Sequence, residues 1–265
     1  MNVTTGQIKS HPSSVAVRTN SSEAGVLGLE LDRNFLENVC ICYSHRKNGV
    51  QSDNSMRNLV SSFVFREGQI GDETILLDYM LGGLSHNGCR LTIGPDNKLY
   101  ISMGDAGKTT ISISNEPDGP FKARSLNLLS CKIFRINLDG IIPVDNPFYE
   151  QLSTAARAIY SFVHRNPQGL GFEPTTGLLW SSEHGENTRY ELDIIRPGKN
   201  HGWQYCVGVQ NYGVSLTVPE DLTTYLCSGN GLCFSNYQNA VKEYLSAGTI
   251  AIGDVFIYDS YFYLK

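Results

Sequence analysis

A strand–turn–strand formula recurs along this chain and limits what it can fold into. In LTIGPDNKLYISMGD (Leu91–Asp105), Leu91 and Ile93 alternate with polar positions, Gly-Pro-Asp-Asn turns, and Leu99, Tyr100 and Ile101 begin the return strand. In LGFEPTTGLLWSSEHG (Leu170–Gly185), Leu170 and Phe172 alternate, Pro-Thr-Thr-Gly turns, and Leu178, Leu179 and Trp180 return. Alternation with a period of two, punctuated by Gly, Pro, Asn and Asp, is the signature of strands and hairpins. Looser copies lie at Val26–His45 and Thr249–Lys265. The units start roughly 65 to 80 residues apart, and further strand-like runs lie between them at Asn58–Glu67, Glu73–Met80 and Cys131–Gly140. A repeat of that size holding about four strands matches a propeller blade. A sandwich of ordinary hairpins would space its strands more closely and repeat no formula. The expectation is an all-β chain forming a single β-propeller domain over residues 1–265, with about four blades' worth of sequence.

Composition narrows the function classes. Apolar residues make up 41% of the 265 and charged residues 18%, with 26 glycines, which is globular composition. The formal net charge is -5 and no Lys/Arg run is interleaved with aromatics, so nucleic acid and anionic membranes are poor partners. No run approaches the apolar length of a membrane span. The start, MNVTTGQIKSHPSS, has no apolar stretch behind a positive beginning, so no secretory signal is visible. Either the protein stays in the cytoplasm or its natural start lies elsewhere. Seven cysteines, Cys40, Cys42, Cys89, Cys131, Cys206, Cys227 and Cys233, form no CxxC, which argues against zinc. Buried free thiols are the simplest expectation, with Cys227 and Cys233 flanking a Ser-Gly-Asn-Gly turn as the candidate disulfide.

The repeat also places a site. The segments just before the first strand of each unit contain Glu23, His86 and Arg165. Equivalent positions in successive blades surround one axis, so three residues far apart in sequence would converge at the mouth of a central channel. An imidazole in a tight turn, His86-Asn87-Gly88, suits a general base near neutral pH. The guanidinium of Arg165, in HRNPQGL, can clamp ligand oxygens bidentately. Downstream, the loop Ser181–Trp203 crowds Glu183, His184, Glu186, Glu191 and Asp193 around Gly185, a pattern that carbonyl and carboxylate ligands to calcium would need.

Four segments together resemble a known family. SEAGVLGLELDRNF, SHNGCRLTIGPDNKLYISMGDAG, ARAIYSFVHRNPQGLGFEP and SSEHGENTRYELDIIRPGKNHGW are similar, in order and spacing, to signature segments of the soluble pyrroloquinoline-quinone (PQQ)-dependent glucose, aldose and sorbosone dehydrogenases. The resemblance implies a six-bladed β-propeller holding PQQ and calcium over its channel, and an enzyme that oxidises an aldose at its anomeric carbon to the lactone. It implies His86 as the catalytic base, with Arg165 beside it in the catalytic centre. Arg165, Asn166 and Gln168 would contact the cofactor, as would Tyr244 and Thr249 in a looser later match. Glu23 and Ser85 fall on the substrate side, Ser85 where some members carry Asp. The calcium ligands would be the backbone carbonyls of Gly185 and Glu186, with Glu191 nearby. Two departures stand out: Glu186 replaces a usual Pro, and Tyr190 replaces a usual acidic residue. The resemblance further implies a sugar substrate, an external electron acceptor and a secreted or periplasmic location. Six blades need more than this length supplies, so the chain reads as a fragment truncated at both ends. Two other readings stay open: a non-catalytic propeller binding a glycan or protein partner, and a calcium-dependent lactonase-like propeller.

Overall fold

The computed structural model describes residues 23–32, 38–46, 56–66, 69–107, 123–150, 154–185 and 190–203, and beyond them the short strands Cys206–Val207, Gln210–Asn211, Thr224–Cys227, Gly231–Phe234, Lys242–Tyr244, Phe256–Tyr258 and Tyr261–Tyr263. The architecture is all-β and antiparallel. Strands β1 (Val26–Leu31), β2 (Asn38–Arg46), β3 (Met56–Arg66) and β4 (Gln69–Leu81) form the first sheet, in that order. Strands β5 (Gly88–Ile93), β6 (Lys98–Met103), β7 (Lys132–Asn137) and β8 (Ile159–Phe162) form the second. In the third, β9 (Pro167–Phe172), β10 (Leu179–Glu183) and β11 (Tyr190–Ile195) are followed by Lys242–Tyr244 as the outer strand. Each sheet is a four-stranded meander opening on one of the hairpins visible in the sequence. The pairing Ile93↔Leu99 closes the second hairpin and Phe172↔Leu179 the third. Of the fourth candidate unit, residues 249–255 lie outside the described residues, and Phe256–Tyr258 pairs with Tyr261–Tyr263.

The first strands lie side by side, β1 against β5 and β5 against β9. Gly28 makes the first approach possible, because a Cβ there would sit 2.1 Å from the Cys89 carbonyl oxygen. The second sheet is covered on both faces. On one side Leu91, Leu99, Ile101 and Phe134 pack with Cys42, Val60 and Leu77 of the first sheet. On the other, Tyr100 and Ile133 pack with Leu170, Leu179 and Ile195 of the third. Tyr100 meets Phe172 edge-on, with ring centroids 5.1 Å apart. Burial on two faces leaves β6 and β7 buried at five of their six positions each, polar residues included, whereas the flanking β5 and β8 alternate in burial.

The cysteines depart from the sequence expectation. Cys42 of β2 and Cys89 of β5 form a disulfide joining the first two sheets, 47 residues apart in sequence. Cys40 and Cys131 are buried free thiols. Cys227 and Cys233 lie in one hairpin, but the register sets Cys233 opposite Tyr225 and Cys227 opposite Gly231. The pairing Cys42–Cys89 was not legible because it depends on how two sheets stack, not on spacing along the chain.

Candidate active site

The turns entering β5 and β9 meet the ends of β6 and β10 in one place. His86 sits at φ +56° in the turn before β5, a left-handed conformation that costs a non-glycine residue energy and turns its ring toward the end of β6. There Nδ1 lies 2.8 Å from Asp105 Oδ1. Gly104 permits the approach, since a Cβ there would come 2.1 Å from the His86 carbonyl oxygen. Asp105 Oδ1 also accepts the Gly107 N–H at 2.8 Å. The other ring nitrogen, Nε2, lies 3.4 Å from Arg165 Nη2. The His86 N–H donates to Glu23 Oε2 at 2.6 Å, and Asn87 Nδ2 donates to the Glu23 carbonyl at 3.0 Å.

The structure therefore brings Glu23, His86 and Arg165 together, with Ser85 and Asn166 in the same turns and Gln168 at the start of β9. Arg165 is 8% exposed and its Nη1 donates to the His184 carbonyl at 3.0 Å. Its guanidinium lies over the Trp203 ring, 5.2 Å from the centroid. Gln168 Oε1 is 2.9 Å from His184 Nε2. Gly185 lines a small recess with Arg165, Glu183, His184 and Glu191. Glu186 and Thr249 lie outside the described residues. Tyr244 lies on the outer strand of the third sheet, in register with Tyr190.

The sequence pattern does not single out Asp105, and it marks Glu183 only as one acid of a calcium-type loop. Asp105 lies two residues past the end of β6 as Gly185 lies two past the end of β10, so the repeat argument applied to the end of each second strand would have found it. Glu183 could not be found that way, because its importance comes from burial. It is 3% exposed, receives the Arg165 N–H on Oε1, and holds His164 Nδ1 at 3.0 Å on Oε2. His164 stacks on His201, centroids 4.3 Å apart, and His201 lies 3.9 Å from Asp193. All four groups are buried. Burial pushes the Glu183 and Asp193 carboxyls up and the His164 and His201 imidazoles down, since each charged form loses its hydration.

That cluster makes a signed prediction about stability. The raised carboxyls favour the folded state below their ordinary values and lose that advantage as pH rises. The lowered histidines favour it above their ordinary 6.5 and lose it as pH falls. Between those ordinary values the two effects oppose each other, because the folded cluster favours protons on its carboxyls and the unfolded chain favours them on its imidazoles. Above pH 6.5 the unfolded imidazoles are neutral, and stability falls for as long as the raised carboxyls of the folded state keep a proton, which Glu183 does up to about 7, by about 1.4 kcal/mol per pH unit for each proton retained. Urea midpoints should thus peak between about pH 5 and 6.5. Asp193→Asn should flatten the alkaline limb; an unchanged limb would show that Asp193 ionises freely.

Whether these groups fit a quinone can be judged from their unmet bonds. Arg165 Nε, Asn166 Oδ1 and Ser182 Oγ are buried with no hydrogen-bond partner. Buried polar atoms are rarely left so, and a guanidinium with a free N–H suits an oxygen-rich anionic ligand. For calcium, no group of three or more His, Cys, Asp or Glu side chains among the described residues could hold an ion. A site built from backbone carbonyls would not require one.

Comparisons agree with the class these features define. The Glucose / Sorbosone dehydrogenase family matches residues 1–228, and the chain belongs to that family. It is 32% identical to quinoprotein glucose dehydrogenase B of Acinetobacter calcoaceticus, over 74% of this chain and 43% of that protein. It is 33% identical to aldose sugar dehydrogenase YliI of Escherichia coli, over 51% of this chain and 33% of that one. Among solved structures, the PQQ-bound aldose sugar dehydrogenase of Streptomyces coelicolor superposes with a TM-score of 0.63 at 25% identity, covering 87% of this chain and 56% of that one. The apo soluble aldose sugar dehydrogenase of Escherichia coli gives 0.68 at 25% identity, covering 88% and 62%. The chain thus spans less than half the length of these curated relatives. No helix among the described residues is long and apolar enough to cross a membrane.

Proposed function

We propose that the chain carries the base-bearing part of a PQQ-dependent aldose dehydrogenase and, by family likeness, is part of a six-bladed propeller. The observation that carries the reading is His86, held by Asp105 at Nδ1 with Nε2 directed toward the Arg165 guanidinium. With Nδ1–H donated to the Asp105 carboxylate, Nε2 carries the lone pair, met only by the long 3.4 Å contact from Arg165 Nη2 that a sugar hydroxyl would displace. An aldose seated there gives its anomeric hydroxyl proton to Nε2 as the C1–H bond breaks, and C1 becomes the lactone carbonyl carbon. PQQ, when bound, supplies the hydride acceptor. Arg165, Asn166 and Gln168 would hold it, and the buried, unpartnered Arg165 Nε and Asn166 Oδ1 support that assignment. The Gly185 and Glu186 carbonyls would hold calcium, with Glu191 nearby. Glu23 and Ser85 flank the His86 turn on the sugar side. Tyr244 and Thr249 remain cofactor contacts by resemblance alone. The electrons leave to an external acceptor. The Cys42–Cys89 disulfide supports an oxidising, secreted or periplasmic location.

The test uses protein expressed from its complete reading frame, supplied with PQQ and calcium. The expected result is dye reduction that requires both an aldose and the quinone. Glycan binding without quinone-dependent dye reduction would favour the non-catalytic propeller, and hydrolysis of a lactone would favour the lactonase-like one.

A further inference from the structure

We infer that Glu183 is a positioning residue for His86, acting through Arg165. The inference rests on the reading of His86 as the base. Glu183 ends β10, and its carboxylate grips both sides of the turn that carries Arg165. Oε1 accepts the Arg165 backbone N–H, and Oε2 holds His164 Nδ1 at 3.0 Å. His164 is anchored in turn, its Nε2 lying 2.8 Å from Ser161 Oγ. The turn needs such a grip. Val163 adopts φ +64° while fully buried, a conformation a β-branched residue takes only when its surroundings impose it.

What hangs from the turn is what holds the imidazole. The Arg165 carbonyl accepts the Asp105 N–H at 2.8 Å, and Asp105 holds His86 Nδ1. The Arg165 guanidinium reaches His86 Nε2 at 3.4 Å. Both groups flanking the ring are therefore located by one residue, and Glu183 fixes that residue's main chain. Loss of the carboxylate would leave Arg165 and Asp105 free to shift together. Catalytic geometry tolerates little of this: a displacement of about 1 Å can cost 10²-fold in rate.

The experiment combines kinetics with ¹⁵N-histidine NMR of the full-length protein without quinone, where His86→Gln identifies the His86 signals. In the wild type His86 should show one fixed tautomer with a hydrogen-bonded Nδ1–H. Glu183→Ala should move the His86 signals toward tautomer averaging and lower kcat about 10- to 100-fold, with KM for the aldose within about twofold. Glu183→Gln, which keeps an oxygen for the Arg165 N–H, should recover most of both. Should Glu183→Ala not fold, Glu183→Asp, one methylene too short to hold both partners, is read by the same two criteria. A folded variant in which only the His164 signals move and kcat stays at the wild-type value would overturn the inference. His86→Gln separates the two ideas: retained turnover there defeats the base reading, while the His86 signals of Glu183→Ala still decide the positioning.

Discussion

Replacing His86 by glutamine should lower turnover by about 10² to 10⁴-fold while changing quinone affinity little, because loss of a general base removes that much from the rate. Glutamine matches the imidazole in reach but takes up no proton at neutral pH. The cofactor-facing groups would stay, since Arg165 is held by the His184 carbonyl and by Glu183, more closely than by its 3.4 Å contact with His86. Asp105→Asn should fall between the two, since the imidazole remains but loses the carboxylate that fixes its tautomer. The measurement is steady-state dye reduction with aldose, alongside a separate quinone titration. Near-normal turnover in His86→Gln would remove His86 as the base. A parallel collapse of quinone binding would make it a cofactor ligand instead.

The second large effect concerns stability. Breaking the Cys42–Cys89 disulfide should cost about 4 kcal/mol, the loop-closure entropy for two residues 47 apart. Both sulfurs are buried in the core between the first two sheets, so the cross-link joins surfaces that already pack. A Cys42→Ala/Cys89→Ala double variant should show a correspondingly lower urea midpoint. Mild reductant on the wild type should reproduce most of the loss, apart from the methylene-scale packing change. Alkylation of both Cys42 and Cys89 in the unreduced, denatured protein, read by peptide mapping, would show that the bond does not form. The effect should also reach the site, because Cys89 lies three residues after His86 on the strand that the His86 turn enters.

Much of this protein follows from its sequence alone. The hairpins at Leu91–Asp105 and Leu170–Gly185 are written in local terms, a period of two and a turn whose residues tolerate its dihedrals, so β5, β6, β9 and β10 were legible. The repeat converted that local signal into a spatial one: residues preceding each first strand share a neighbourhood, and Glu23, His86 and Arg165 do meet. What the sequence did not reveal depends on contacts between sheets or on burial. The Cys42–Cys89 bond needs β2 and β5 stacked at a particular offset, and no spacing rule encodes that. Asp105 looked like one more turn aspartate until the end of β6 was set beside the His86 ring. Glu183 looked like one acid among several in a polar loop. Only the fold separates it, by removing water from its carboxylate and bringing the Arg165 and Asn166 N–H groups and His164 to it. An ionisable group's role is set by its dielectric surroundings and by which donors reach it, and both are properties of packing rather than of residue order.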